Sequence, residues 1–182
     1  LQTYVDGDYV GNPELIEILA NNALSSVQFL SELGAKWQPT ITAAVGATWT
    51  RSHTPTQDFG SAGASFVLPQ TKAYEALGGQ IIFEHRASEL IKDGNRVIGV
   101  KGETTDGTPF IAHANKGVVI CTGGFGANVE MRQKYNKHWA NLDETVETTN
   151  VSTATGDGIV MAENAGVNLV GMEWIQMLPT GK

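Results

Sequence analysis

Apolar residues recur at three- and four-residue steps from Leu15 through Ile18, Leu19, Ala23, Val27 and Leu30 to Leu33, which predicts an amphipathic helix over 12–33. Asn12 suits the N-cap, and Pro13 suits the first helical position, where its missing N–H costs nothing. Glu14 and Glu17 complement the positive end of the dipole, and Gly34 supplies a C-cap. A stripe of this kind predicts a face packed on a domain core. Between 39 and 63 the chain is rich in Thr, Ala, Gly and Ser, with Trp49, Arg51, Ser52 and His53 set among them. Neither the helical nor the alternating period persists there, so a ligand-facing loop is expected. A second helix is expected over 66–77, with Pro69 in its first turn or at a kink, ended by Gly78 and Gly79.

The period then shortens. The run QIIFEH at 80–85 predicts a strand, 88–92 a second, and 96–103 a third that alternates Val97, Gly99 and Lys101 against Ile98 and Val100. Asp93-Gly94 and Asp106-Gly107 are hairpin turn dipeptides, and with 109–114 they complete an antiparallel meander. Next, GVVIC at 117–121 is continuously apolar and ends in Thr122-Gly123-Gly124, the pattern of a strand buried on both faces whose end something approaches closely. A polar, partly helical stretch follows over 128–150. Ala154-Thr155-Gly156-Asp157-Gly158 opens a further helix, with Ile159, Met161, Ala162 and Ala165 on its inner face and Gly166 as its cap. A short strand over 167–172 is expected before WIQMLPT at 174–180.

The composition is that of a globular protein: 182 residues, 41% hydrophobic and 17% charged. The net charge of −7, with basic residues scattered, argues against nucleic acid and anionic lipid, both of which need concentrated positive charge. No apolar run is long enough to insert into a membrane. The single Cys121, in an apolar run, reads as a small buried hydrophobe. His85, His113 and His138 lack metal-ligand spacing, so no metal is expected, while His53 lies in the polar loop. The first residues have no initiator Met, basic segment or apolar segment of a signal peptide, and the chain opens as though mid-protein. Compartment stays open.

Two glycine clusters carry the candidate chemistry. The corner Thr122, Gly123, Gly124 brings bare backbone to a strand end, where α/β folds bind ligands. The turn Thr155, Gly156, Asp157, Gly158 presents free helix N–H groups. A carboxylate at that terminus disfavours phosphate and favours hydroxyl recognition, because ionised Asp157 only accepts hydrogen bonds.

The order of RSHTP at 51–55, GGQIIFEHRASELI at 78–91, RVIGVKG, VVICTGGFGAN at 118–128, ATGDGIVMAENAGV at 154–167 and WIQMLPT resembles the flavoprotein subunit of the fumarate reductase and succinate dehydrogenase family, nearest its soluble flavocytochrome c-like and urocanate reductase-like branch. The resemblance covers almost the whole chain and implies an α/β fold. Residues 1–182 would be the middle portion of a glutathione-reductase-like, Rossmann-type FAD-binding domain with a β-meander. It implies FAD contacts at Ala87, Thr122, Gly123, Gly124, Thr155, Gly156, Asp157 and Gly158, and an approach of the loop 44–51 to the isoalloxazine ring. The implied reaction is reduction of the C=C bond of a small unsaturated carboxylic acid, fed by an electron-donor domain or protein. The fingerprint G-x-G-x-x-G is absent from these residues and is expected upstream. The proton-delivering arginine and the carboxylate-gripping His and Arg are expected beyond Lys182, so no catalytic residue is assigned in this chain. Where fumarate reductases commonly carry His before Pro-Thr, this chain has Leu178 after Met177. Loss of that charged contact, about 1.5–3 kcal/mol, favours urocanate or an acrylate over fumarate in a substrate pocket including Met177 and Leu178. Two alternatives stay open: a non-catalytic nucleotide- or protein-binding module, and a related flavoenzyme such as a ketosteroid dehydrogenase or L-aspartate oxidase.

Overall fold

The computed structural model describes residues 1–44 and 47–177, which form two compact units divided between Ile81 and Ile82. The first unit begins with α1 (Gln2–Asp6) and α2 (Pro13–Glu32). Asn12 caps α2 as its sequence predicts, its side chain accepting from the N–H of Glu14 at 2.9 Å and of Leu15 at 3.3 Å, a contribution of about 1 kcal/mol. The expected packed face does not form. No residue of α2 is buried, and Leu15, Ile18, Leu19 and Leu24 lie exposed, while Val27, Leu30 and Leu33 at the far end are half-buried.

The stretch expected to be a loop contains a hairpin, β1 (Trp37–Thr42) with β2 (Ser52–Pro55), paired antiparallel with an irregular register between Trp37 and Ile41. Pro39 lies in that irregular span, where a residue without an N–H is tolerated. His53 meets Trp37 edge-on at 6.0 Å, and Phe66 meets the same indole at 5.6 Å. Helix α3 (Ala62–Ala76) starts four residues earlier than expected, because Ser61 caps it by accepting from Ala64 N–H at 3.1 Å. Pro69 therefore falls in mid-helix, not in the first turn, and sits buried there with Ser65, whose hydroxyl donates to Thr56 O at 2.5 Å.

In the second unit, β3 (His85–Asp93), β4 (Arg96–Thr104) and β5 (Pro109–His113) form the expected meander in the order β3-β4-β5, antiparallel throughout. Gly102 lies against the Arg86 carbonyl and Ala87 Cα, so β3 and β4 approach where a side chain would not fit. Residues 80–84 form no strand, and β3 starts only at His85, after Glu84 takes a positive φ of 60° that breaks an extended run. The expected buried strand at 117–121 is also absent: no segment among the described residues pairs with it, Val119 is 86% exposed, and Cys121 is exposed rather than buried. Without a ladder partner, extended backbone gains nothing by being apolar. The same holds for 167–172, which is not a strand. Helices α4 (Val129–Tyr135) and α5 (Asp157–Asn164) complete the unit, whose buried residues include Leu90, Met131, Leu142, Met161 and Ala162.

Candidate cofactor site

Helix α5 begins at a bare corner. Its N-cap is Gly156, in the left-handed region at φ 80°, and no side chain caps the helix, so neither Thr155 nor Asp157 does the capping. Thr155 instead donates its hydroxyl to Asp157 Oδ1 at 2.7 Å. Asp157 Oδ2 accepts two bonds from Arg86 of β3, from Nε at 3.0 Å and Nη2 at 2.6 Å. These donors, the Thr155 hydroxyl first and the guanidinium second, hold the Asp157 carboxyl below the usual carboxylate range and outweigh its slight desolvation. The carboxylate is thus ionised and fixed, with acceptor capacity left on Oδ1.

The corner formed by 122–124 lies against this same terminus. Gly158 is buried because Thr122 and Ile120 occupy the space a Cβ would take, and Gly156 is walled by Phe125 and Met131. Gly123 has φ 76°, which lets the chain reverse after Thr122. Two further bonds lock the corners together: Ala127 N–H donates to Ala154 O at 2.9 Å, and Asn128 Nδ2–H to Thr155 O at 2.9 Å. Asn128 also caps α4 through Met131 N–H at 3.0 Å.

A hollow of about 860 Å³ opens beside α5, lined by Arg86, Ala87, Thr104, Asn128, Thr155 and Asp157 among others. It gathers Ala87, Thr155 and Asp157 from positions far apart in the chain. Thr122, Gly123 and Gly124 do not line it, and of the three Thr122 packs against the start of α5, at Gly158. Arg86 and Asn128 escaped sequence reading. No local spacing ties Arg86 to a carboxylate 71 residues away, whereas Asn128, just before Val129, carried a readable N-cap signal. Met177 lines a different cavity, of about 580 Å³, with Arg132, Val146, Asn150 and Gln176. Leu178, like 45–46 of the loop at 44–51, lies outside the described residues. Among the described residues no group of His, Cys, Asp and Glu suits a metal, and no helix is long and apolar enough to cross a membrane.

A fixed carboxylate acceptor and a hydroxyl at the wall of one hollow fit the ribose hydroxyls of a dinucleotide. The family model of the FAD binding domain matches residues 1–182, and the chain belongs to that family, with FAD as its cofactor. It is 37% identical to NADH:acrylate oxidoreductase of Vibrio harveyi, over all of this chain and 19% of that protein. Urocanate reductase of Eggerthella lenta is 35% identical over 97% of this chain and 28% of that protein. The chain thus spans less than a third of these curated relatives. Among solved structures, the open conformation of a flavocytochrome c3 fumarate reductase superposes with a TM-score of 0.81 at 28% identity, covering 96% of this chain and 30% of that one. The fold is α/β and that of the FAD-binding part of such reductases.

Proposed function

We propose that this chain is the cofactor bed of an FAD-dependent reductase that saturates the C=C bond of an α,β-unsaturated carboxylic acid. The observation that carries the reading is the hollow uniting Ala87, Thr155 and Asp157 beside the bare start of α5. In it, Asp157 accepts from cofactor hydroxyls, Arg86 and Thr155 keep that carboxylate ionised and aimed, and the Ala87 backbone faces the adenine end. Buried Gly156 and Gly158 let neighbouring chain close tightly on the start of α5, and the backbone of Thr122, Gly123 and Gly124 passes beside the cofactor. When bound, FAD supplies the hydride chemistry.

The substrate is a urocanate- or acrylate-type acid in preference to fumarate. Supporting this are the similarity to an acrylate and a urocanate reductase and the apolar Leu178 where a hydrogen-bonding His would serve a second carboxylate. Electrons come from another domain or protein. The deciding experiment is anaerobic titration of the dithionite-reduced, full-length protein with acrylate, urocanate and fumarate. Flavin reoxidation by one of the first two at lower concentration than by fumarate is expected. A flavin that none of the three reoxidises would turn the assignment toward a non-catalytic module.

A further inference from the structure

The segment 172–177 contains neither helix nor strand, yet it supplies Ile175, Gln176 and Met177 to the wall of the 580 Å³ cavity. Its own backbone bonds reach only near neighbours: Trp174 N–H donates to Gly171 O at 3.1 Å and Ile175 N–H to Glu173 O at 3.0 Å. Among the described residues, one hydrogen bond ties it to another part of the fold, from Trp139 Nε1–H to Ile175 O at 2.6 Å. Beside that bond the His138 ring lies flat on the Trp174 indole, centroids 4.2 Å apart and planes 11° from parallel.

The gripping residues are themselves held by α4. Asn136 N–H donates to Arg132 O at 3.0 Å, and the Asn136 side chain bonds Trp139 twice, accepting from its N–H at 3.0 Å and donating to its carbonyl at 2.8 Å. The same helix fixes the facing wall, where buried Arg132 donates to Val146 O at 2.9 Å and Gln133 Nε2–H to Leu142 O at 2.8 Å. Pinning the Ile175 carbonyl fixes the peptide plane that continues into Gln176. It therefore narrows the directions open to the Gln176 side chain and anchors the start of the chain that carries Met177.

We propose that Trp139 and His138 are positioning residues, which place Gln176 and Met177 against the substrate and so shape the choice among unsaturated acids. The proposal rests on the reading of Met177 as substrate wall. Neither aromatic residue would touch cofactor or substrate.

Three variants of the full-length holoprotein test it: W139F removes the indole donor, H138A removes the stack, and H138F keeps a stacking ring. Hydrogen exchange is read on peptides covering 172–177, and steady-state kinetics with acrylate and urocanate are read alongside. W139F and H138A should exchange faster at 172–177 and raise KM roughly five-fold, the factor for one ordinary hydrogen bond, with kcat and bound flavin held within two-fold. H138F should behave as the parent in both readouts. Unchanged exchange in W139F and H138A overturns the proposal, as does faster exchange with an unmoved KM. Loss of flavin in all three variants overturns it too, since that marks a purely structural role. If the unsubstituted protein turns over none of these acids, the functional reading fails, and the exchange rates alone decide whether the grip exists.

Discussion

Asp157 is held by partners that differ in kind, a neighbouring hydroxyl and a guanidinium from a distant strand. Both Arg86 bonds land on one oxygen, and the side chains are 79% and 40% exposed, so solvent screens the pair and its worth to folding is at most about 1 kcal/mol. Because folding lowers this carboxyl from its ordinary 3.8, the stabilisation is complete above that value and fades as pH falls below it toward the folded-state pKa. Its larger role belongs to the ligand. D157N in the full-length protein should lower the unfolding free energy by no more than about 1 kcal/mol. The same change should weaken FAD binding ten-fold or more, or about 1.4 kcal/mol, in a flavin fluorescence titration. An unaltered FAD affinity would remove Asp157 from the site. The sequence singled out the acid in TGDG, its cofactor role being implied by the family resemblance; its guanidinium partner was hidden, because a contact across two elements leaves no mark in local spacing.

At the scale of elements, the meander was readable because its two Asp-Gly turns sit between alternating runs, so turn chemistry and period agree. The hairpin β1–β2 was hidden, since Pro39 and the irregular register around it break the alternation a strand should show. The apolar run at 117–121 misled in the opposite sense: hydrophobicity predicts where a strand prefers to be, while pairing decides whether one exists. What this run does supply is Ile120 and Thr122 against Gly158. A methyl added there must displace both neighbours, so G158A should cost about 1–3 kcal/mol in chemical denaturation. Removing the Thr122 side chain in the double variant T122A/G158A should recover part of that loss, with Ile120 still in the way, whereas strict additivity would mean the two corners do not press on one another.

For the whole molecule, the chain divides into two units, each with a modest interior, and leaves apolar side chains such as Leu15, Ile82, Phe83 and Val119 exposed. The sequence contains the α5 corner but no G-x-G-x-x-G turn to hold a pyrophosphate. Isolated as 182 residues, the chain should lose its FAD on desalting, as judged by absorbance near the flavin band. Flavin retained through that step would show that the hollow beside α5 suffices alone. Fold class was open to sequence reading because motif order survives along the chain, while the division into units depends on packing that no motif encodes.

Cys121 is the single thiol of this sequence, it is exposed, and it directly precedes the corner at Thr122. A maleimide dye on Cys121 would sit beside the proposed cofactor track yet on none of the groups assigned to it. Changes in its emission would report the arrival and departure of the dinucleotide in real time, independent of any turnover.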